Sequence, residues 1–375
     1  MKVLIDGSPL VNRATGIATY LVDAIRAMVK YIPQWELILA LPAEIHPSVE
    51  GLPLEKIRVV KAPLPFIKMR LPWVLIKLPW LVRKYNADLL WSPNKILPLT
   101  GLKNCKTLIT THDVVWKEFQ ETTNSKGFSR FYNWIIDRSL EKADYVWHNS
   151  EYTKTCIEKY YPNLKLKPNI VGISCSTRFR KIEVNTQVRA DIFNEYKIHQ
   201  KYILFVGSLE PRKNLRFLIG MMPIIYKKTG CQLLIVGARG WKNNDIKEIV
   251  LHPDFNKESV VFADYVSVDK LILLYNLATC YISTALNEGF GLPQLEAMNC
   301  ECPVISPNNS AMIEVVSGRG ILIDGWNENT WIETICSTLN NEDLLLSLKH
   351  PDIVDFSWKN IINNLYNIVC ENNES

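Results

Sequence analysis

Short apolar runs recur along the chain at Lys2–Asp6, Trp35–Ala40 and Thr107–Thr111, and between them lie longer stretches, such as 17–30, whose apolar positions follow a helical period. Such runs predict buried parallel strands, and the period-3.6 stretches predict the helices that cover them. The rhythm returns in the second half: Tyr202–Val206, Gln232–Val236, Val260–Phe262 and Thr279–Ser283 read as strands, and Leu215–Lys228 as an amphipathic helix. Two blocks of strand–helix alternation predict an α/β protein with two Rossmann-like parallel-sheet domains. After Pro168 the polar stretch Ser174–Arg178 carries no period and places the boundary near 172 to 200.

Composition adds limits. A chain of 375 residues, 47% hydrophobic and 22% charged, has room for two such domains and is neither a disordered tail nor a fibrous repeat. No apolar run approaches the ~18 to 20 residues that cross a bilayer, and the first residues enter a strand without a signal-peptide layout, so a cytoplasmic location is expected. The nine cysteines form no CxxC pair; Cys300 and Cys302 flank Glu301, which excludes a zinc knuckle or thioredoxin-type motif and leaves reduced, mostly buried thiols.

Charge is uneven. Residues 1–170 hold 24 Lys+Arg against 15 Asp+Glu, although the whole chain is only +5. An anionic partner for the first half is expected, with membrane surface, phosphorylated acceptor and nucleic acid all open on charge alone; no nucleic-acid motif is present. Within that half, residues 56–87 carry eight cations and no acid, with Phe66, Trp73 and Trp80 among them and prolines at 63, 65, 72 and 79. This reads either as an anionic-membrane contact or as a helix packed on the first sheet with solvated lysines.

Candidate chemistry gathers at strand ends. In Asn287–Met298, Gly289 and Gly291 allow a tight turn and Pro293 suits a first helical turn, so unpaired N–H groups form an anion cradle at the carboxyl end of a strand. Glu288 and Glu296 bracket it, and carboxylates accept from sugar hydroxyls. Without a ligand to hold, Glu296 would be a dipole-stabilising acid and Glu288 a surface residue. Val206–Leu215 places Arg212 and Lys213 after another strand, where a fork and a point charge suit a diphosphate. His112 and Asp113 close the strand Thr107–Thr111, and Gly16 opens a helix after the first strand.

In this order the residues resemble the retaining, nucleotide-sugar-dependent GT-B glycosyltransferases, the group 1 family that includes bacterial mannosyltransferases. The most specific parts are Asn287–Pro303, similar to the family's Glu, seven residues, Glu segment, and Leu204–Asn214, similar to its Phe-Val-Gly, Glu-Pro-Arg-Lys-Asn signature. The resemblance implies two domains facing a cleft: an acceptor-binding domain over 1–172, a nucleotide-sugar domain over 173–355, and a helix over 356–375, begun by Phe356-Ser-Trp358, that crosses back to the first.

It further implies that Arg212 and Lys213 bind the donor diphosphate, Glu296 the ribose, and Glu288 the transferred sugar. Gly289, Phe290, Gly291 and Leu292 would give backbone contacts, Gly207 and Gly16 would lie against the donor, Gly237 and Tyr265–Val266 would hold the base, and His112 would reach the sugar. The expected partners are a nucleotide diphosphate sugar and a glycan or lipid-linked acceptor. No cofactor and no metal is expected, since no Asp-x-Asp motif accompanies the cations. The chain departs from the family at Ala18, where a second glycine is common, and at Gly172-Ile-Ser174, where Gly-Val-Asp is usual. Two alternatives are a nucleotide-sugar epimerase of similar architecture and a non-catalytic nucleotide-sugar binding protein.

Overall fold

The structure is a computed structural model that describes residues 1–13, 15–63, 70–114, 126–237, 244–253, 255–349, 351, 353 and 355–371. The chain divides into two compact units, one made of Met1–Ser174 with Phe356–Ser375 and the other of Cys175–Asp355. Each is an α/β unit built on one parallel sheet.

The first sheet has the order β3-β2-β1-β4-β5-β6-β7, with β1 Lys2–Asp6, β2 Glu36–Leu41, β3 Arg58–Lys61, β4 Leu89–Ser92, β5 Lys106–Thr111, β6 Tyr145–His148 and β7 Asn169–Val171. Leu4, Ile38, Leu90, Ile109 and Val146 share one core face with Leu78, Leu81, Ile135 and Ile136 of the helices above them. Strands apolar on both sides require such cover, which is why helices flank this sheet. Near β5 an aromatic group closes the unit: Tyr20 meets Trp91, Trp147 and His112 edge-on at 6.1, 5.5 and 5.1 Å, and Trp358 of the helix Trp358–Glu371 lies 6.2 Å from it.

The second sheet has the order β10-β9-β8-β11-β12-β13, with β8 Lys201–Val206, β9 Cys231–Val236, β10 Val260–Phe262, β11 Cys280–Ile282, β12 Val304–Pro307 and β13 Ile321–Ile323. All pairs are parallel, for example Ile203 opposite Leu233 and Cys280 opposite Ile203. The strand order reverses between β8 and β11, and in open α/β sheets the crevice beyond the carboxyl ends at such a switch point receives ligands. The candidate donor-side residues of this unit lie in the loops and helix starts after its strands, and Glu296 one turn into the helix Leu292–Asn299.

The basic stretch divides. Helix runs from Arg70 to Tyr85, widened into a π turn over Trp73–Lys77 just before Pro79, which has no N–H to give the regular ladder. Trp73 is buried and its Nε1 donates to the buried Asp6 carboxylate at 2.9 Å, which removes it from any surface contact. Trp80 is 47% exposed between the ammonium groups of Lys77 and Lys84, 4.3 and 4.9 Å from its ring. Lys61 is paired with Glu44, and Phe66 lies outside the described residues, as does the tail 372–375. Among the described residues, no helix is long and apolar enough to cross a membrane.

Candidate functional site

β8 ends at Val206, and the chain turns through Gly207 into the short helical turn Pro211–Lys213 before the helix Leu215–Thr229. β11 ends at Ile282 and leads through Ser283–Gly291 into the helix Leu292–Asn299. The two loops are tied along their length. Leu286 N donates to Arg212 O at 2.9 Å, and the buried Thr284 hydroxyl donates to Lys213 O and Asn214 O at 3.1 and 3.2 Å. The cations are thereby fixed against the segment that carries the glutamate.

Glu288 meets both. Arg212 Nη1 donates to Glu288 Oε2 at 2.8 Å and to Asn287 O at 2.7 Å, and Lys213 Nζ donates to Glu288 Oε1. Glu288 and Lys213 side chains are each 13% exposed. Burial pushes the Glu288 carboxyl upward, but the charges of Lys213 and Arg212 together outweigh it and hold the group below its ordinary range, so it is ionised at neutral pH. Behind it, Glu288 N donates to Ser310 Oγ at 3.1 Å.

The helix Leu292–Asn299 starts without a side-chain cap, with Gly291 at φ 110° as its N-cap and Pro293 in the first turn. At that φ an L side chain is strained, so glycine is required there. Gly289, Phe290 and Gly291 are buried, and Leu292 is half-buried. Glu296 is buried one turn along, where Tyr275 Oη donates to its Oε2 at 3.0 Å; burial and then the Glu296 charge push the Tyr275 hydroxyl far above its usual pKa, so it remains a donor.

Two further loops, after β9 and β10, close on this face. Gly207 N donates to Val236 O at 2.9 Å and Gly237 N to Asp264 O at 2.7 Å, which laces the ends of β8, β9 and β10 together. A Cβ on Gly237 would stand 1.9 Å from Gly207 O, so the approach of the loops after β8 and β9 needs glycine there. Tyr265 is 41% exposed and Val266 half-buried in the loop after β10.

In the first unit, His112 follows β5. Its Nε2 lies 2.9 Å from Pro93 O and must donate to it, and burial lowers its pKa to about 4, so the ring is neutral with a lone pair on Nδ1. Asn149 Nδ2 donates to His112 O at 2.8 Å, and Asp113 pairs with Lys95 at 2.5 Å. Gly16 opens the helix Gly16–Tyr31 at an exposed position where a Cβ would meet nothing within 4 Å. Among the described residues, no group of three or more His, Cys, Asp or Glu is placed to hold a metal ion.

Arg212, Lys213 and Glu288 thus form one cluster, Glu296 sits along the adjoining helix, and Gly207 and Gly237 touch. The motif residues do not reveal Tyr275, Thr284 and Ser310, whose roles are made by contacts across the sheet, and the motif that begins at Asn287 does not show that its carbonyl accepts from Arg212. The signal for Thr284 is that it falls in the loop after β11.

Residues 200–341 match the family described as glycosyl transferases group 1. O-antigen chain mannosyltransferase B of Escherichia coli is 25% identical over 286 residues, covering 74% of this chain and 73% of that protein. Other mannosyltransferases that the chain matches are longer, and the matched part is about a third of their length. Sucrose-phosphate synthase from Thermosynechococcus elongatus superposes with a TM-score of 0.74 at 19% identity over 99% of both chains. HepE of Anabaena, solved in complex with UDP-glucose, superposes with a TM-score of 0.73 at 14% identity over 100% of both.

Proposed function

We propose, from the premise that this chain is a group 1 glycosyltransferase of the GT-B fold, that it moves a hexosyl group, mannosyl as first choice, from a nucleoside diphosphate sugar to a glycan or lipid-linked acceptor in surface-polysaccharide synthesis. The observation that carries the reading is the pairing of Arg212 and Lys213 with one buried-edge carboxylate at the switch point of a parallel sheet. The O-antigen relative favours a mannosyl donor and a cell-surface glycan.

As the anomeric carbon becomes oxocarbenium-like, negative charge grows on the leaving diphosphate. Preorganised cations and the N–H groups at the start of the helix Leu292–Asn299 stabilise that charge where it develops. Glu296 takes the ribose hydroxyls and Glu288 the hydroxyls of the sugar in flight, while neutral His112 offers Nδ1 to a sugar hydroxyl. The loops at Gly237 and Tyr265–Val266 hold the base. Transfer retains the anomeric configuration, the leaving phosphate accepts the acceptor's proton, and no metal is required because Arg212 and Lys213 supply the positive charge. Residues 70–85 bring the first unit to an anionic membrane through Trp80 and the cations around it.

A panel of nucleotide sugars scored by thermal shift identifies the donor, since a true ligand raises the apparent melting temperature. Proton NMR of the product glycan then reads the anomeric configuration: an inverted linkage would end the retaining mechanism, and release of an epimerised donor without acceptor would end the transferase reading.

A further inference from the structure

We propose that the Glu288 carboxylate is the resident counter-ion of Arg212 and Lys213, which a donor diphosphate must displace in order to bind and which returns to help expel the nucleoside diphosphate product. This rests on the diphosphate reading of the two cations given above. The carboxylate divides its oxygens, Oε1 to Lys213 and Oε2 to Arg212, so both cations are engaged before any ligand arrives. With side-chain exposures of 13% for Glu288 and Lys213 and 29% for Arg212, these contacts are only partly screened by water.

The main chain that carries the two cations, and the Arg212 guanidinium, do not need the carboxylate to hold their places. Arg212 O accepts from Leu286 N, Arg212 Nη1 also donates to Asn287 O, and Lys213 O accepts from Thr284. Nor does Glu288 need the cations to place its backbone, which Ser310 Oγ fixes. What remains adjustable is the carboxylate itself. A diphosphate carries more charge than one carboxylate and presents several oxygens to the guanidinium fork, so it wins the cations.

The released carboxylate is then an acceptor in search of donors. A complete nucleotide sugar offers its hydroxyls to it and recovers part of the cost, whereas a nucleoside diphosphate has no sugar to offer. Glu288 therefore weakens binding of the product relative to the donor. Affinity for a ligand is reduced by whatever stabilises the state that excludes it.

Titration calorimetry with GDP, UDP and ADP on the full chain tests the idea. For whichever diphosphate binds, Glu288→Gln should bind it about tenfold more tightly than the wild type, because the largely buried competing anion is gone and one unit of positive charge is uncovered, the remaining Glu210 lying 3.7 Å from Arg212 Nη2 and half exposed. Turnover should fall, and inhibition by the same diphosphate should strengthen. Glu288→Ala is the second variant; there formate should compete with the diphosphate, as it should not in the wild type. Far-UV circular dichroism and melting curves establish that each variant is folded. Equal or weaker diphosphate binding by folded Glu288→Gln, or no effect of formate on Glu288→Ala, would overturn the counter-ion role while leaving the diphosphate site standing. Arg212→Ala and Lys213→Ala distinguish the two failures: if neither weakens diphosphate binding, the site itself is wrong, and a chain that binds none of the three nucleotides refutes both.

Discussion

Arg212 and Lys213 are adjacent in the chain, yet the proposed reading gives them different work, one as a two-pronged donor and one as a point charge. Replacing either with Ala should lower kcat/KM by ~10² or more, the range for loss of one preorganised charge-stabilising group; turnover assays with the identified donor check this. Glu296→Gln should chiefly weaken nucleoside diphosphate binding, since a ribose contact is alike in ground and transition states. Tyr275→Phe should do the same more mildly, because it removes one donor and leaves the carboxylate itself in place. These carboxylate and cation positions stand out in the sequence because their chemistry is borne by motif residues at strand ends. Tyr275 and Thr284 do not, since a hydroxyl in an apolar run says nothing until folding brings Thr284 to Lys213, 71 residues away. Two histidines add a pH response. Burial lowers His112 to about 4 and His148, also facing the Lys154 charge, to about 3, whereas both titrate near 6.5 in the unfolded chain. Between those values the unfolded state binds the extra protons, so stability is full above pH ~6.5 and falls on acidification, by roughly 2 kcal/mol per histidine from pH 7 to pH 5. Urea unfolding at the two pH values measures it, and His148→Gln should remove part of the difference.

Helices and strands were unequally legible. Strands β1, β5, β8 and β9 announce themselves as apolar runs between polar turns, whereas the helix Thr186–Glu195 has no counterpart in the hydrophobic pattern because only Ile192 of it is buried. The helical stretch 70–85 shows the limit of composition. Trp73 and Trp80 look alike in sequence, but packing places one in the core as a donor to Asp6 at the end of β1 and the other at the surface between two lysines. The proposed membrane contact then rests on Trp80 and charge, so sedimentation with anionic vesicles should exceed that with neutral vesicles at low salt, fall steeply at high salt, and drop further in Trp80→Ala. No preference for anionic vesicles at low salt would favour a soluble acceptor. Gly237→Ala tests the lacing of the strand-end loops: a Cβ 1.9 Å from a carbonyl oxygen forces the loops apart, and both melting temperature and donor affinity should fall.

At the scale of the whole molecule, the repeated strand–helix alternation is enough to read two parallel-sheet units, because the central strands are buried on both faces and stay apolar throughout, whereas the edge strand β3, with Arg58 and Lys61 exposed at its ends, does not. The reading of chemistry without a metal makes its own prediction: activity should survive EDTA, and complete loss restored by magnesium or manganese would contradict it. The two units also differ in how the chain supplies them. The second is continuous, from Cys175 to Asp355, while the first is completed by the helix Trp358–Glu371, whose Ile361, Ile362 and Leu365 are buried in it. During synthesis the ribosome therefore emits nearly all of the first unit, then the whole second unit, and only afterwards the helix that covers the first. The later-made unit can finish folding before the earlier one, whose uncovered apolar flank must meanwhile wait in a crowded cell, where a chaperone is the natural occupant of that surface.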